Sequence, residues 1–187
     1  HFLADRRLDR PSDDAVTDSG FQLAARQAGA YEAQTGVFMR PSASLIVDSL
    51  RLAPGDSVLD LACGTGFVAR DAIALVAPSG RVVGVDVNPA MLELARSLTA
   101  GSAIDWIDAS AMDLPLEADT FTHVACQQGL QFFPDASMAV AEVRRVLQPG
   151  GVFVATIWAT PGYNPYIDTQ LALLAEFEPS IAASAAA

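Results

Sequence analysis

The stretch of this sequence best suited to chemistry is an apolar run that carries an acid and opens into glycines: Val58-Leu59-Asp60-Leu61-Ala62-Cys63-Gly64-Thr65-Gly66. A strand there delivers Asp60 near its carboxyl end, and a loop of small residues then opens a helix. Glycine is needed where backbone must approach a ligand closely, because a Cβ would take the ligand's place. In open α/β sheets, ligands sit at the carboxyl ends of strands near the point where strand order reverses. About twenty residues on, as in nucleotide-binding folds, Asp86 closes a second apolar run, Arg81-Val82-Val83-Gly84-Val85-Asp86. A carboxylate there can accept hydrogen bonds from both hydroxyls of a ribose, and charge-assisted bonds contribute about 1.5–3 kcal/mol each. These two features alone leave the ligand open. Gly64-Thr65-Gly66-Phe67-Val68-Ala69 also fits the dinucleotide pattern G-x-G-x-x-A, and Asp86 stands where an NAD enzyme carries its ribose acid. A tight strand-to-helix turn with no ligand would show the same glycines.

The elements that must position these residues follow an alternating rhythm. Residues 57–61 read as a buried strand, 67–76 as a helix ended by Pro78-Ser79-Gly80, and 81–86 as a second strand. Asn88 has the chemistry of an N-cap, with Pro89 at the first helical position and a helix running to about residue 98. Residues 104–107 and 121–126 are the third and fourth strands. Residues 136–147 form a helix stopped by Gln148-Pro149-Gly150-Gly151, and 152–158 are the fifth strand. Upstream, helices are expected over 21–33 and 42–50, the second with Leu45, Ile46 and Leu50 on one face. A further helix is expected to begin within 165–177. Strands alternating with helices imply an α/β fold: a Rossmann-like, doubly wound, mostly parallel sheet with right-handed crossovers. The expected organisation is a solvated, Asp-rich arm over 1–20, N-terminal helices capping the site over 21–56, a cofactor-binding core over 57–160, and the start of a substrate or lid region over 161–187.

Composition removes several function classes. The 187 residues suit one domain with a sizeable core, and hydrophobic residues make up 51%. The net charge of −11 opposes a phosphate backbone, so no nucleic-acid partner is expected. All eleven basic residues are Arg, which excludes a Lys Schiff base and a P-loop Lys within this sequence. Two Cys and two His are too few and too scattered for a zinc site, and Cys63 and Cys126 read as small buried residues in a reducing, cytoplasmic protein. No apolar stretch is long enough to span a membrane. The start, His1-Phe2-Leu3-Ala4-Asp5-Arg6-Arg7, lacks the order of a secretion signal and reads as a processing or cloning scar.

Further strings carry a resemblance. The nine residues from Val58 and the string Gly84-Val85-Asp86-Val87-Asn88-Pro89-Ala90-Met91-Leu92 are similar to the first two motifs of one family. So are Leu114-Pro115-Leu116 followed by Phe121, Gln127-Gln128-Gly129-Leu130-Gln131-Phe132-Phe133, and Arg145-Val146-Leu147-Gln148-Pro149-Gly150-Gly151. In their order and spacing, from about Tyr31 to Trp158, the chain resembles the class I S-adenosylmethionine (SAM)-dependent methyltransferases. The branch is that of the ubiquinone/menaquinone-biosynthesis C-methyltransferases. The resemblance implies methyl transfer from SAM to a small-molecule acceptor, with S-adenosylhomocysteine as product. It implies that Ala62, Gly64 and Gly66 line the methionine part of SAM and that Asp60 supports its ammonium. It implies that Asp86 holds the ribose, that Val87 and Met91 press on the adenine, and that the backbone of Ala111 pairs with the adenine edge. Gln127 and Gln128 then sit near the sulfonium, and Tyr31 reaches the SAM carboxylate. Ser110 stands where the family usually has Asp, leaving a hydroxyl for the adenine amino group, with Asp108 or Asp113 as candidates to compensate. Thr122 also replaces a usual Asp. The family's sheet closes with two more strands that this sequence does not show, so the chain reads as a fragment of a longer protein. Oligomeric state is left open, a dimer included.

Plainer roles compete for single residues. Val87 and Met91 suit ordinary packing at a helix start, and His123 suits a strand interior better than general-base work. Phe132 and Phe133 serve a pocket or a helix contact equally well. The amides of Gln127, Gln128 and Gln131 are costly if buried unpaired, which favours a polar ligand beside them. Methyl transfer needs alignment more than a base, and no base stands out; Tyr31, Glu32 and His123 are the weak candidates. Two rivals remain: an NAD-dependent oxidoreductase, and a SAM-binding module that transfers nothing.

Overall fold

A computed structural model describes residues 25–159, together with 16–17, 20–21, 162–165, 169 and 172. Five strands form one parallel sheet: β1 (Ser57–Leu61), β2 (Arg81–Asp86), β3 (Ile104–Asp108), β4 (Phe121–Gln127) and β5 (Leu147–Thr156). Their order is β3-β2-β1-β4-β5, so the direction of winding reverses between β1 and β4. This is the Rossmann-like, doubly wound α/β arrangement expected. The helices are α1 (Ala25–Leu50), α2 (Phe67–Val76), α3 (Pro89–Leu98) and α4 (Ala136–Val146).

Alternation along each strand gives the sheet two apolar faces. Leu59, Leu61, Val83 and Val85 pack with Val143 and Val146 of α4. Their neighbours Val58 and Val82 face the other way, onto Ala69, Ala72 and Val76 of α2. Reversal of winding at β1/β4 puts helices on both faces and leaves a crevice at the carboxyl ends, where the glycine loop lies.

Local signals hold where the chemistry is local. Asn88 caps α3: its side-chain oxygen accepts from the N–H of Ala90 at 3.0 Å and of Met91 at 3.4 Å, with Pro89 at the first turn. Three expectations are corrected. The two upstream helices are one 26-residue helix that runs through Pro41. Its buried stripe, Ala28, Gly36, Met39, Ala43, Ile46, Val47 and Leu50, continues at helical spacing across the proline. Pro41 itself is exposed, so its missing N–H and the carbonyl it frees lie at the wet side. Leu45 is off that stripe and 68% exposed. The fifth strand begins at Leu147, not at residue 152, because Leu147 pairs with Phe121 before the register resumes at His123↔Val152. The expected turn, Gln148-Pro149-Gly150-Gly151, is therefore a bulge inside the strand, where a proline is tolerated.

Val16–Thr17 pairs antiparallel with Gly20–Phe21, and the rest of the 1–20 arm lies outside the described residues. In 165–177 only Pro165, Thr169 and Ala172 are described, as helical, and the tail 181–187 is outside. By contacts the chain divides into two units, His1–Thr156 and Ile157–Ala187. Among the described residues no helix is long and apolar enough to cross a membrane, and no cluster of His, Cys, Asp and Glu could hold a metal ion.

One aromatic ring sets two glycines. Trp106, mid-strand in β3, lies against Gly84 of β2 and Gly66 of the loop. A Cβ on Gly84 would stand 2.3 Å from Trp106 Cζ3, and a Cβ on Gly66 would stand 2.3 Å from Cη2. The indole N–H donates to Thr99 Oγ1 at 3.2 Å, which fixes the ring. Gly84→Ala is accordingly expected to destabilise the fold by about 1–3 kcal/mol in urea titration. Trp106→Leu in the same chain should recover much of that loss, because the two changes share one contact.

Candidate functional site

The chain leaves β1 through three left-handed residues in five: Ala62 (φ 55°), Gly64 (φ 54°) and Gly66 (φ 83°). Backbone N–H groups of this turn hold it in place. Cys63 N–H donates to Val85 O at 3.0 Å, and Gly66 N–H donates back to Cys63 O at 2.8 Å. Gly64 N–H donates to Asp86 Oδ2 at 2.7 Å. The other carboxylate oxygen of Asp86 accepts from Asn88 N–H at 2.8 Å. The loop and the acid thus face each other directly across the ends of β1 and β2. Burial pushes the Asp86 carboxyl up, and the N–H groups of Asn88, Gly64 and Val87 pull it back down. An ionised carboxylate offers about four acceptor positions, so these N–H groups leave capacity for a ligand. The residue as a whole is only half-buried, which keeps that capacity within reach.

The loop glycines have different causes. A Cβ on Gly64 would meet nothing within 4 Å, so space stands open above that residue. The Gly66 position is buried against Trp106, as above, so packing by itself already demands glycine there. Ala62 takes the left-handed region without being glycine, as does Gln128 (φ 56°) at the end of β4. Such residues cost about 1–3 kcal/mol each and gather at ligand sites. These two stand at the carboxyl ends of adjacent strands, at the switch point.

Asp60 is 1% exposed, and its Oδ2 accepts from Ala69 N–H at 2.9 Å, holding the first turn of α2. Burial, with a further contribution from Asp86, raises its carboxyl to about 7 against the pull of the Ala69 N–H. Tyr31 of α1 comes within electrostatic reach of Asp86: burial raises its phenol, and the Asp86 and Glu32 charges add to that against a hydrogen bond with Thr35. Val87 is half-buried and Met91 buried at the start of α3. Ser110 Oγ accepts from Met112 N–H at 3.2 Å, and Ala111 is half-buried beside it. Their loop is clamped to α4: Arg145 donates to the carbonyls of Leu116 at 2.7 Å and Leu114 at 3.0 Å, while Glu142 accepts from Leu114 N–H at 2.8 Å. Asp108 is close enough to raise Asp86.

The amides at the end of β4 have protein partners. Gln127 Nε2 donates to Met39 O of α1 at 2.7 Å, and Gln128 Nε2 donates to Thr156 Oγ1 of β5 at 3.3 Å. Much of the cluster's polarity is therefore satisfied within the fold. His123 is at the opposite end of the sheet, its Nδ1 2.8 Å from Thr122 Oγ1 and 3.7 Å from Asp56 Oδ2, away from the glycine loop. Cys63 and Cys126 are free and buried, and burial raises both thiols, Cys126 to about 12.

One cluster escaped sequence reasoning. Glu32 of α1 accepts from the hydroxyl of Thr65, in the loop, and from Arg70 Nη2 at 2.9 Å and Arg40 Nη2 at 3.0 Å. Both guanidinium groups lie over the Phe67 ring, at 5.2 Å for Arg40 and 4.8 Å for Arg70. Glu32 was visible only as a weak base candidate, because 33 residues separate it from Thr65 and no local pattern links them.

A parallel sheet whose switch point carries a glycine loop and a facing acid defines a nucleoside-binding Rossmann-like domain. Residues 59–155, more than half of the chain, match the methyltransferase domain family, and the chain belongs to that family. Over 105 residues it is 41% identical to the demethylmenaquinone methyltransferase of Symbiobacterium thermophilum, covering 54% of this chain and 42% of that one. Over 125 residues it is 35% identical to a ubiquinone/menaquinone biosynthesis C-methyltransferase of Hahella chejuensis, covering 65% of this chain and 50% of that one. The chain thus spans about half the length of the curated relatives it matches. A SAM-dependent methyltransferase from Aquifex aeolicus shares the fold, with a TM-score of 0.65 at 16% identity over 82% of this chain and 87% of that one. Family membership implies SAM as the methyl donor and resolves the choice of nucleotide left open by the glycine string.

The buried acid gives this site a pH signature. Asp60 binds its proton more tightly folded, at about 7, than unfolded, at about 3.9. Its contribution to stability is fully present below pH ~4, declines as pH rises toward ~7, and is flat above. Asp60→Asn keeps an acceptor for Ala69 N–H but cannot titrate. Urea titrations across pH 4–8 should show the stability of wild type relative to this variant falling over that window.

Proposed function

We propose that this chain transfers a methyl group from SAM to a small, quinone-type aromatic acceptor, as the names of its relatives suggest for them. The observation that carries the reading is the 2.7 Å hydrogen bond from Gly64 N–H to the Asp86 carboxylate, which holds a ribose acceptor beside the open space above Gly64. When bound, SAM supplies a methyl group already activated on a positively charged sulfur. The chain's own task is then to hold and align.

In this reading the remaining acceptor capacity of Asp86 takes the two ribose hydroxyls, and the backbone of Ala62 and Gly64 lines the methionine part. Asp60 acts on the ammonium through the loop it braces. Val87 and Met91 pack on the adenine, with Ser110 and the Ala111 backbone at its polar edge. Tyr31 approaches from α1 toward the methionine carboxylate, and Gln127 borders the sulfonium. The core that begins at residue 57 binds the donor, and α1, within the segment 21–56, covers it. Glu32 is held by Thr65 and two Arg side chains and so suits bracing rather than proton transfer.

Calorimetry against SAM, S-adenosylhomocysteine and NAD tests the proposal. SAM and its product should bind, and NAD should not; binding of NAD alone would sink it. Asp86→Ala is expected to weaken SAM at least tenfold, since charge-assisted contacts to the ribose are lost, and an unchanged affinity would remove Asp86 from the site. SAM binding without turnover across a panel of hydroxylated aromatic acceptors would favour a module that binds and does not transfer.

A further inference from the structure

We propose that Gln128 is the residue that reads the methyl acceptor, its side-chain carbonyl accepting a hydrogen bond from a hydroxyl on that molecule. The inference rests on the methyltransferase reading above and adds to it a substrate-selecting group. Gln128 is fixed on three sides. Its backbone is left-handed at φ 56°. Its backbone N–H donates to Thr156 O at 3.0 Å, and its amide nitrogen donates to Thr156 Oγ1 at 3.3 Å. Both nitrogens are thus committed to β5. What remains is Oε1, which is buried and has no hydrogen-bond partner among the described residues. It is the one side-chain atom of that kind found among them. Buried acceptors are almost always bonded, so an orphan held in a strained, pinned residue marks a place for an incoming donor.

The position says which molecule brings the donor. Asp86, the ribose acid, ends β2, and the glycine loop follows β1. Gln128 follows β4 on the other side of β1 and leans toward β5. Gln128 therefore stands beyond β1 from the strand that ends in Asp86. Its neighbour makes the contrast: the amide nitrogen of Gln127 is bound to Met39 O, tying β4 to α1. An amide carbonyl in a buried place welcomes O–H and repels an ether or ketone oxygen, because two lone pairs then meet with no proton between them. Sites of this kind discriminate strongly, since the wrong molecule leaves a buried group unpaired. The SAM ammonium is the other source of an N–H donor, and the test separates the two.

The probes are 1,4-dihydroxynaphthalene and its dimethyl ether, which share a ring system and differ in the donor. Each is titrated calorimetrically into wild type, Gln128→Met and Gln128→Glu, all saturated with S-adenosylhomocysteine. Affinity for S-adenosylhomocysteine and SAM is measured on the same three proteins. Wild type should prefer the dihydroxy compound at least tenfold. Gln128→Met, similar in length and without an acceptor, should erase that preference while SAM affinity changes less than twofold. Gln128→Glu, which keeps an acceptor oxygen, should retain it. A preference that survives in Gln128→Met, or a wild type that binds both probes alike or neither, overturns the proposal. So does a large loss of SAM affinity in Gln128→Met, which would hand the contact to the cofactor's ammonium. Failure of wild type to bind SAM at all would overturn the methyltransferase reading together with this one.

Discussion

A single backbone N–H donating to a carboxylate ties the two halves of the site together. Gly64 lies in the loop after β1 and Asp86 ends the neighbouring β2; they are 22 residues apart in sequence, and the bond between them is 2.7 Å long. It stops the glycine loop from swinging away from the sheet, and it keeps the carboxylate from turning toward solvent. Asp86 is also in balance: desolvation favours its neutral form, and three backbone N–H groups favour its charge. A carboxylate held in this way is an acceptor with fixed direction, which a ligand with paired hydroxyls can use without reorganising the protein. Glycines at 64 and 66 take left-handed backbone without strain, and the left-handed Ala62 is the conformational cost of bringing that N–H to face the acid.

The rest of the molecule supports this contact from outside. Asp60 braces the start of α2 from beneath the loop, and Cys63 N–H fastens the turn to β2. From above, α1 reaches down twice: Glu32 binds Thr65 inside the loop, and Met39 O receives the amide of Gln127 at the end of β4. Both contacts lie on the segment of α1 before Pro41, and the apolar stripe of the segment after it fastens the helix to the core. A break at the proline would separate anchor from cover, so the continuity of α1 matters to the site. The Arg145–Glu142 pair holds the loop carrying Ser110 and Ala111 by grasping its backbone rather than its side chains. The Leu114-Pro115-Leu116 string and Arg145 thereby act as one structural unit, although Leu116 and Arg145 are 29 positions apart in sequence.

Trp106 shows how one side chain can imitate a ligand's demand for glycine. Gly66 and Gly84 both lie under its ring, and either would clash with it on gaining a Cβ. Only Gly64, with open space above it, retains the ligand-based explanation. A glycine motif read along the chain mixes these causes, because a missing side chain leaves no trace of what excluded it.

The sequence alone determined whatever depends on neighbours along the chain. The period of apolar residues defined the five strands and their intervening helices. Asn88 and Pro89 set the start of α3 through a cap made two and three residues away. The acid at the end of β2 and the glycine loop after β1 were legible from residue type and spacing, and the motif strings identified the family. The tertiary structure decided what depends on residues meeting across the fold. It joined two expected helices through Pro41, since burial of a continuous stripe outweighs one lost hydrogen bond at a wet surface. It placed Glu32 on Thr65, gave Gly66 to Trp106, tied Gln127 to α1, and left one oxygen of Gln128 without a partner among the described residues. Spacing along a chain encodes local geometry; which side chains share a space is settled only when the sheet is wound and its two faces are covered.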